Sequence, residues 1–248
     1  MILDALKMAV GTLTTVRVPA PGVIDKRVAG GAMVLAALAA VPLAAFASLL
    51  VFLGDLVGLP AFASAALALG AVALGSRGLH LDGLADTADG LGASYDRARA
   101  LDVMRRGDSG PTGIATLVLV LLVQTGALAG AIAAGHGIAT AAIAVLAGRG
   151  VLSLCCARGV PSARPEGLGA TVAGSVPRWA AAVVFAVLAG AAALVFPWWQ
   201  GLIAVILGYL AASALLARCV QRLGGVTGDV LGGCVEVAVA GVLLALSF

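Results

Sequence analysis

The stretch TGIATLVLVLLVQTGALAGAIAA, Thr112 to Ala134, runs for 23 residues without one charged side chain. About 20 apolar residues take a helix across the hydrocarbon core of a bilayer, so this stretch reads as a membrane span. Outward from it the pattern repeats. Further apolar runs occupy residues 29–54, 60–78, 138–157, 179–197, 201–217 and 231–247. Of 248 residues, 62% are hydrophobic and 11% charged, and mean hydropathy is +1.12; a soluble domain has roughly 25% charged residues. The expected fold is all-α, a polytopic integral membrane helix bundle of about seven transmembrane helices, with residues 1–248 forming one domain. Gly and Ala dominate the runs, as in transmembrane helices whose backbones approach closely. Residues 1–18 are short and amphipathic, and read as an interfacial helix rather than a span or a signal peptide.

The connecting segments alternate in charge. Lys7, Arg17, Lys26 and Arg27 fall in 1–28; Arg97, Arg99, Arg105 and Arg106 in 79–111; Arg158, Arg164 and Arg178 in 158–178; Arg218 and Arg222 in 218–230. The segments 55–59, 135–137 and 198–200 and the terminal Phe248 contain no Lys or Arg. Cytoplasmic loops collect these residues, which puts the N-terminus and the first set of loops inside, in a cytoplasmic (inner) membrane. Trp198 and Trp199 then lie at the outer interface and Trp179 near the inner one. Membrane lipid is the expected surrounding, no nucleic acid is an expected partner, and a homo-oligomer is left open. Cys155, Cys156, Cys219 and Cys234 have no zinc spacing and read as buried free thiols. Walker A and HExxH motifs are absent.

Charge returns in HLDGLADTADGLG, His80 to Gly92. Only 12 residues of the chain are acidic, and Asp82, Asp86 and Asp89 stand within eight positions. On a helix these three carboxylates share one face, where they repel unless a partner neutralises them. A hard divalent cation such as Mg²⁺ is that partner, since it takes oxygen ligands and is shared with phosphates. The acidic segment 79–111 is therefore the expected cytoplasmic active-site loop, with Asp82, Asp86 and Asp89 as metal ligands and His80 beside them. Gly83, Gly90 and Gly92 are expected to let a ligand approach the backbone. Asp96 extends the acidic face if the helix continues past Gly92.

Other charges complete a candidate site. Arg105 and Arg106 precede a Gly-rich turn entering a span, an arrangement suited to phosphate. Arg149 lies inside an apolar run, where a guanidinium is expensive and faces a cavity or an acid. Arg164 and Glu166 lie in SARPEGLGATVAGS, residues 162–175, and Asp229 and Glu236 in GGVTGDVLGGCVEV, residues 224–237. Carboxylates holding Mg²⁺, with arginines neutralising developing charge, are the equipment of phosphoryl-type transfer. An ion or proton transporter would use Asp82, Asp86, Asp89, Arg149 and Glu236 as relay groups. It leaves the Gly-rich, Arg-bearing loops unexplained, and no internal repeat supports it.

HLDGLADTADGLG resembles the acidic signature of cobalamin synthases, the adenosylcobinamide-GDP ribazoletransferases. The run MRRGDSGPTG (104–113), Arg149, SARPEGLG (162–169) and TGDVLGG (227–233) resemble family elements in the same order, over roughly residues 75–240. Many members carry Asp-Ser-Arg after the Met-Arg pair, where this chain has Arg106, Gly107 and Asp108. The resemblance implies a Mg²⁺-dependent enzyme of the cytoplasmic membrane that joins adenosylcobinamide-GDP to α-ribazole, or its 5′-phosphate, and releases GMP. It implies metal binding by Asp82, Asp86 and Asp89, substrate binding by Arg149, Arg164, Arg105, Arg106 and Asp229, and proton transfer by His80 or one of the acids. A CDP-alcohol phosphotransferase, the nearest competitor, would need Arg where Asp86 stands and Asp where Ala100 stands.

Overall fold

The computed structural model describes residues 1–248, and its regular elements are all helices. In chain order the helices are α1 (Ile2–Leu13), α2 (Lys26–Val34), α3 (Ala36–Ala39), α4 (Val41–Leu56), α5 (Ala61–Gly75), α6 (Leu79–Ala93) and α7 (Arg97–Val103). They continue with α8 (Pro111–Ala133), α9 (Gly137–Cys155), α10 (Leu168–Val172), α11 (Arg178–Val195), α12 (Trp198–Leu223) and α13 (Gly228–Ala245). The all-α membrane bundle is as expected, and α8, α9, α11, α12 and α13 are each long and apolar enough to cross a bilayer. The first two expected spans differ in form. The run 29–54 is divided into α2, α3 and α4, and the run 60–78 ends at Gly75. A count of seven is therefore not established; five helices qualify alone, and six if α5 and α6 form one broken span.

The break between α5 and α6 positions the site. Arg77 and Gly78 are both left-handed, at φ 57° and 68°, and Gly78 N–H closes the end of α5 on Ala73 O at 2.7 Å. The chain leaves this turn bent by 89°. Left-handed backbone is unfavourable for a residue with a Cβ. Arg77 is held there while its guanidinium donates to Gly11 O and Thr12 O, at 2.8 and 3.2 Å, which ties the elbow to the end of α1.

Helix α13 is the centre of the bundle, packed against α12, α6, α9 and α8. In α9 and α13, 72% and 67% of the span residues are buried, against 28% in α8 and α11. The two inner helices thus face protein on most sides, while α8 and α11 present Leu119, Leu122, Val187 and Leu194 outward. Lipid tails are as apolar as leucine, so such helices associate through close packing and polar contacts. The crossing of α6 and α13 shows this packing: a Cβ on Gly83 would lie 2.6 Å from Asp229 O, and one on Gly232 3.1 Å from His80 Cα. The acidic motif is thereby pressed onto the start of the central helix. The arginine-poor end is closed by Gln200 Nε2 donating to Phe248 O and by a 2.9 Å contact of His136 Nε2 with Leu246 O.

Candidate active site

A cavity of ≈ 270 Å³ opens where α6, α13, α10 and the end of α1 meet. Helix α6 supplies His80 and Asp82, the loop before α10 supplies Arg164 and Glu166, and α13 supplies Asp229. The first turn of α13 is capped by Thr227, whose Oγ1 accepts from Val230 N–H at 3.2 Å and donates to Asp229 at 3.1 Å. The positive end of this helix dipole faces the cavity, which favours an anionic ligand there. Arg164 reinforces that preference. Its guanidinium lies 3.9 Å from Asp229 Oδ2 and donates to Leu101 O at 2.7 Å.

Three carboxylates line the cavity (Asp82, Glu166 and Asp229) against the single guanidinium of Arg164. These carboxylates oppose the pull of the helix dipole and Arg164 on a phosphate, an opposition that a cation entering with the phosphate would remove. Asp86, one turn behind Asp82, is buried, and its charged neighbours are Asp82, Asp229, Asp89 and Arg164. No three acidic, His or Cys side chains converge closely enough to hold a metal by themselves. Asp82 also borders a second groove, of ≈ 530 Å³, lined by Arg77 and Ser109 among others. Asp82 thus stands where two spaces meet.

The three aspartates are on one helix, as expected, but they do not serve one space. Asp89 lies at the far end of α6, and its two oxygens accept from Gly110 N–H at 2.7 Å and Gly113 N–H at 2.8 Å. Those donors belong to the N-cap and first turn of α8, so Asp89 caps a neighbouring helix. The other glycines of the motif admit neighbouring helices rather than a ligand: Gly90 faces Met104 and Gly92 faces Thr112. Asp96 does not extend the acidic face, because α6 stops at Ala93 and Asp96 caps α7 through Arg99 N–H at 2.8 Å. The expected loop 79–111 is mostly these two helices.

The arginines separate into groups. Arg164 lines the cavity, whereas Arg149, Arg105 and Arg106 do not. Arg149 is buried behind the histidine, with one guanidinium nitrogen 3.3 Å from His80 Nδ1. Arg106 is exposed and pairs with Asp102 at 2.8 Å, which holds the Asp102 carboxyl below the usual carboxylate range. Arg105 is likewise exposed. Glu166, singled out beside Arg164 in the sequence, does line the cavity, whereas Thr227 was not singled out as a cavity residue although it was legible as a helix cap before Asp229. All four cysteines are buried and free, as expected.

The chain matches the family model described as cobalamin-5-phosphate synthase over residues 5–247. A relative from Nocardioides sp., named adenosylcobinamide-GDP ribazoletransferase, is 45% identical over 98% of this chain and 97% of its own length. Proteins with the same name from Frankia casuarinae and Pseudomonas fluorescens are 37% and 42% identical, covering 100% and 77% of this chain and 95% and 77% of their own lengths. No solved structure matches the chain.

Proposed function

The chain belongs to the cobalamin-5-phosphate synthase family, and from that premise we propose that it is an adenosylcobinamide-GDP ribazoletransferase. It joins adenosylcobinamide-GDP to α-ribazole or its 5′-phosphate and releases GMP. The observation that carries this reading is the cavity at the start of α13, where three carboxylates and Arg164 surround a helix N-terminus. A hydroxyl of the ribose attacks the cobinamide-linked phosphorus. The new P–O bond forms as the bond to the GMP phosphate breaks, and the hydroxyl proton passes to a cavity carboxylate. Asp82, with Asp86 behind it, would hold Mg²⁺ together with the pyrophosphate; the ion would supply charge neutralisation and alignment. Arg164 and the first turn of α13 orient the phosphates. The position of Asp82 between two spaces suits a reaction that brings two substrates to one phosphorus atom.

Purified protein incubated with adenosylcobinamide-GDP, α-ribazole and Mg²⁺ should release GMP and form cobalamin, both resolved by chromatography. Ion uptake by proteoliposomes without nucleotide, and no GMP, would favour a transporter instead. The distribution of Lys and Arg supports a cytoplasmic position for the site in the inner membrane. Cysteine introduced at Ser94 should be labelled from the cytoplasmic face, and cysteine at Gln200 from the periplasmic face. The native thiols are buried, so background labelling is low. Labelling of both positions from the periplasm would reject this orientation.

A further inference from the structure

Behind the cavity lies a chain of polar side chains that crosses four helices. His80 on α6 is 2% exposed and lines the cavity. Its Nδ1 lies 3.3 Å from the guanidinium of Arg149 on α9, which is 1% exposed. Arg149 shares a small space of ≈ 20 Å³ with Glu236 on α13 and Gln124 on α8. Gln124 in turn donates to the Glu236 carboxylate at 2.9 Å and to its backbone carbonyl at 3.0 Å. None of Arg149, Glu236 and Gln124 lines the reaction cavity.

A guanidinium in a protein has donors only and is never deprotonated. The Nδ1 facing Arg149 must therefore be an acceptor, and the hydrogen of the neutral ring sits on Nε2. That Nε2 is buried and has no partner in the protein. A buried donor without a partner costs about 1–3 kcal/mol, and the residue that carries it is one of those lining the cavity. Accepting a proton at Nε2 would need the hydrogen moved to Nδ1, where it would oppose the guanidinium hydrogens.

We propose that Arg149 is a positioning residue that locks the tautomer of His80, and that His80 donates a hydrogen bond from Nε2–H to a phosphate oxygen of the substrate rather than acting as the base. The proposal rests on the ribazoletransferase reading for the identity of that phosphate. It assigns the hydroxyl proton to a carboxylate and removes Arg149 from direct contact with substrate.

The chain has only two histidines, His80 and His136, so protein labelled with ¹⁵N-histidine in nanodiscs gives two imidazole signal sets, and His80→Gln identifies which is which. Long-range ¹H–¹⁵N correlation should show the Nε2–H tautomer for His80 in the free protein. Arg149→Met, which removes the donor, should release the second tautomer and lower kcat with little change in KM. Gln places an amide near the Nε2 position, so His80→Gln should retain turnover within about tenfold. Asn reaches only the Nδ1 position, so His80→Asn should lose about 100-fold, the scale of one lost donor to developing charge. A wild-type His80 with its hydrogen on Nδ1 overturns the proposal whatever the variants do. An active wild type in which folded His80→Gln is as impaired as His80→Asn also overturns it. A wild type that shows the Nε2–H tautomer yet releases no GMP overturns the ribazoletransferase reading and leaves the lock standing.

Discussion

Asp82 and Asp89 are two turns apart on α6, yet the first opens into a cavity and the second is sealed against another helix. At the Asp82 end the motif meets the start of α13 with space left over. At the Asp89 end the space is filled: a Cβ on Gly110 would lie 2.6 Å from Asp89 Oδ1, and one on Gly113 would strike Asp89 Oδ2. Two free oxygens can bind a ligand, whereas two oxygens engaged by backbone N–H groups fix the position of a helix. A repeated residue in one motif thus stands in two different surroundings, set by whether the facing helix leaves room.

The sharpest way to break this comparison is at Asp82. Asp82→Asn keeps size but removes the charge, and should lower GMP release by about 100-fold or more while thermal stability in detergent stays unchanged. Unchanged turnover at low Mg²⁺ would remove Asp82 from the reaction. Asp89→Asn should do the opposite, because its amide turns one acceptor into a donor facing another donor. A loss of about 1–3 kcal/mol is expected, read as a lower melting temperature, with turnover per folded molecule largely kept. A fully stable but inactive Asp89→Asn protein would erase the distinction between the two ends. Gly113→Ala should reproduce the Asp89 effect on stability, since its Cβ would occupy the place of Asp89 Oδ2. Arg164→Lys keeps the charge but loses the planar fork, and should raise KM for adenosylcobinamide-GDP by about tenfold, a loss of ~1.4 kcal/mol in binding. Smallest of all, Arg106→Ala breaks only an exposed pair with Asp102 and should leave both turnover and melting temperature unchanged.

What could be read from the chain depended on how far apart the interacting residues lie. Apolar runs are local, so α8, expected at 112–134, is found at Pro111–Ala133. Hydropathy ends with the lipid, but a helix does not: α12, expected at 201–217, continues through Arg218 and Arg222 to Leu223. The elbow at Arg77 and Gly78 was missed because its left-handed turn has only one glycine to announce it. The shared face of Asp82, Asp86 and Asp89 follows from helical periodicity and was legible. The commitment of Asp89 to α8 was not, because its donors lie 21 and 24 residues further on. Arg149 was legible as a buried charge needing a partner, but its contact with His80 spans 69 residues.

Two of the arginines have one more effect. Arg97 donates to Ala163 O at 3.0 Å, and Arg164 donates to Leu101 O at 2.7 Å. Each segment thus lends the other an arginine, and the two hydrogen bonds fasten α7 to the loop that carries Arg164 into the cavity. A residue inserted between Ser94 and Arg97 would therefore disturb both hydrogen bonds together, and with them the placement of Arg164.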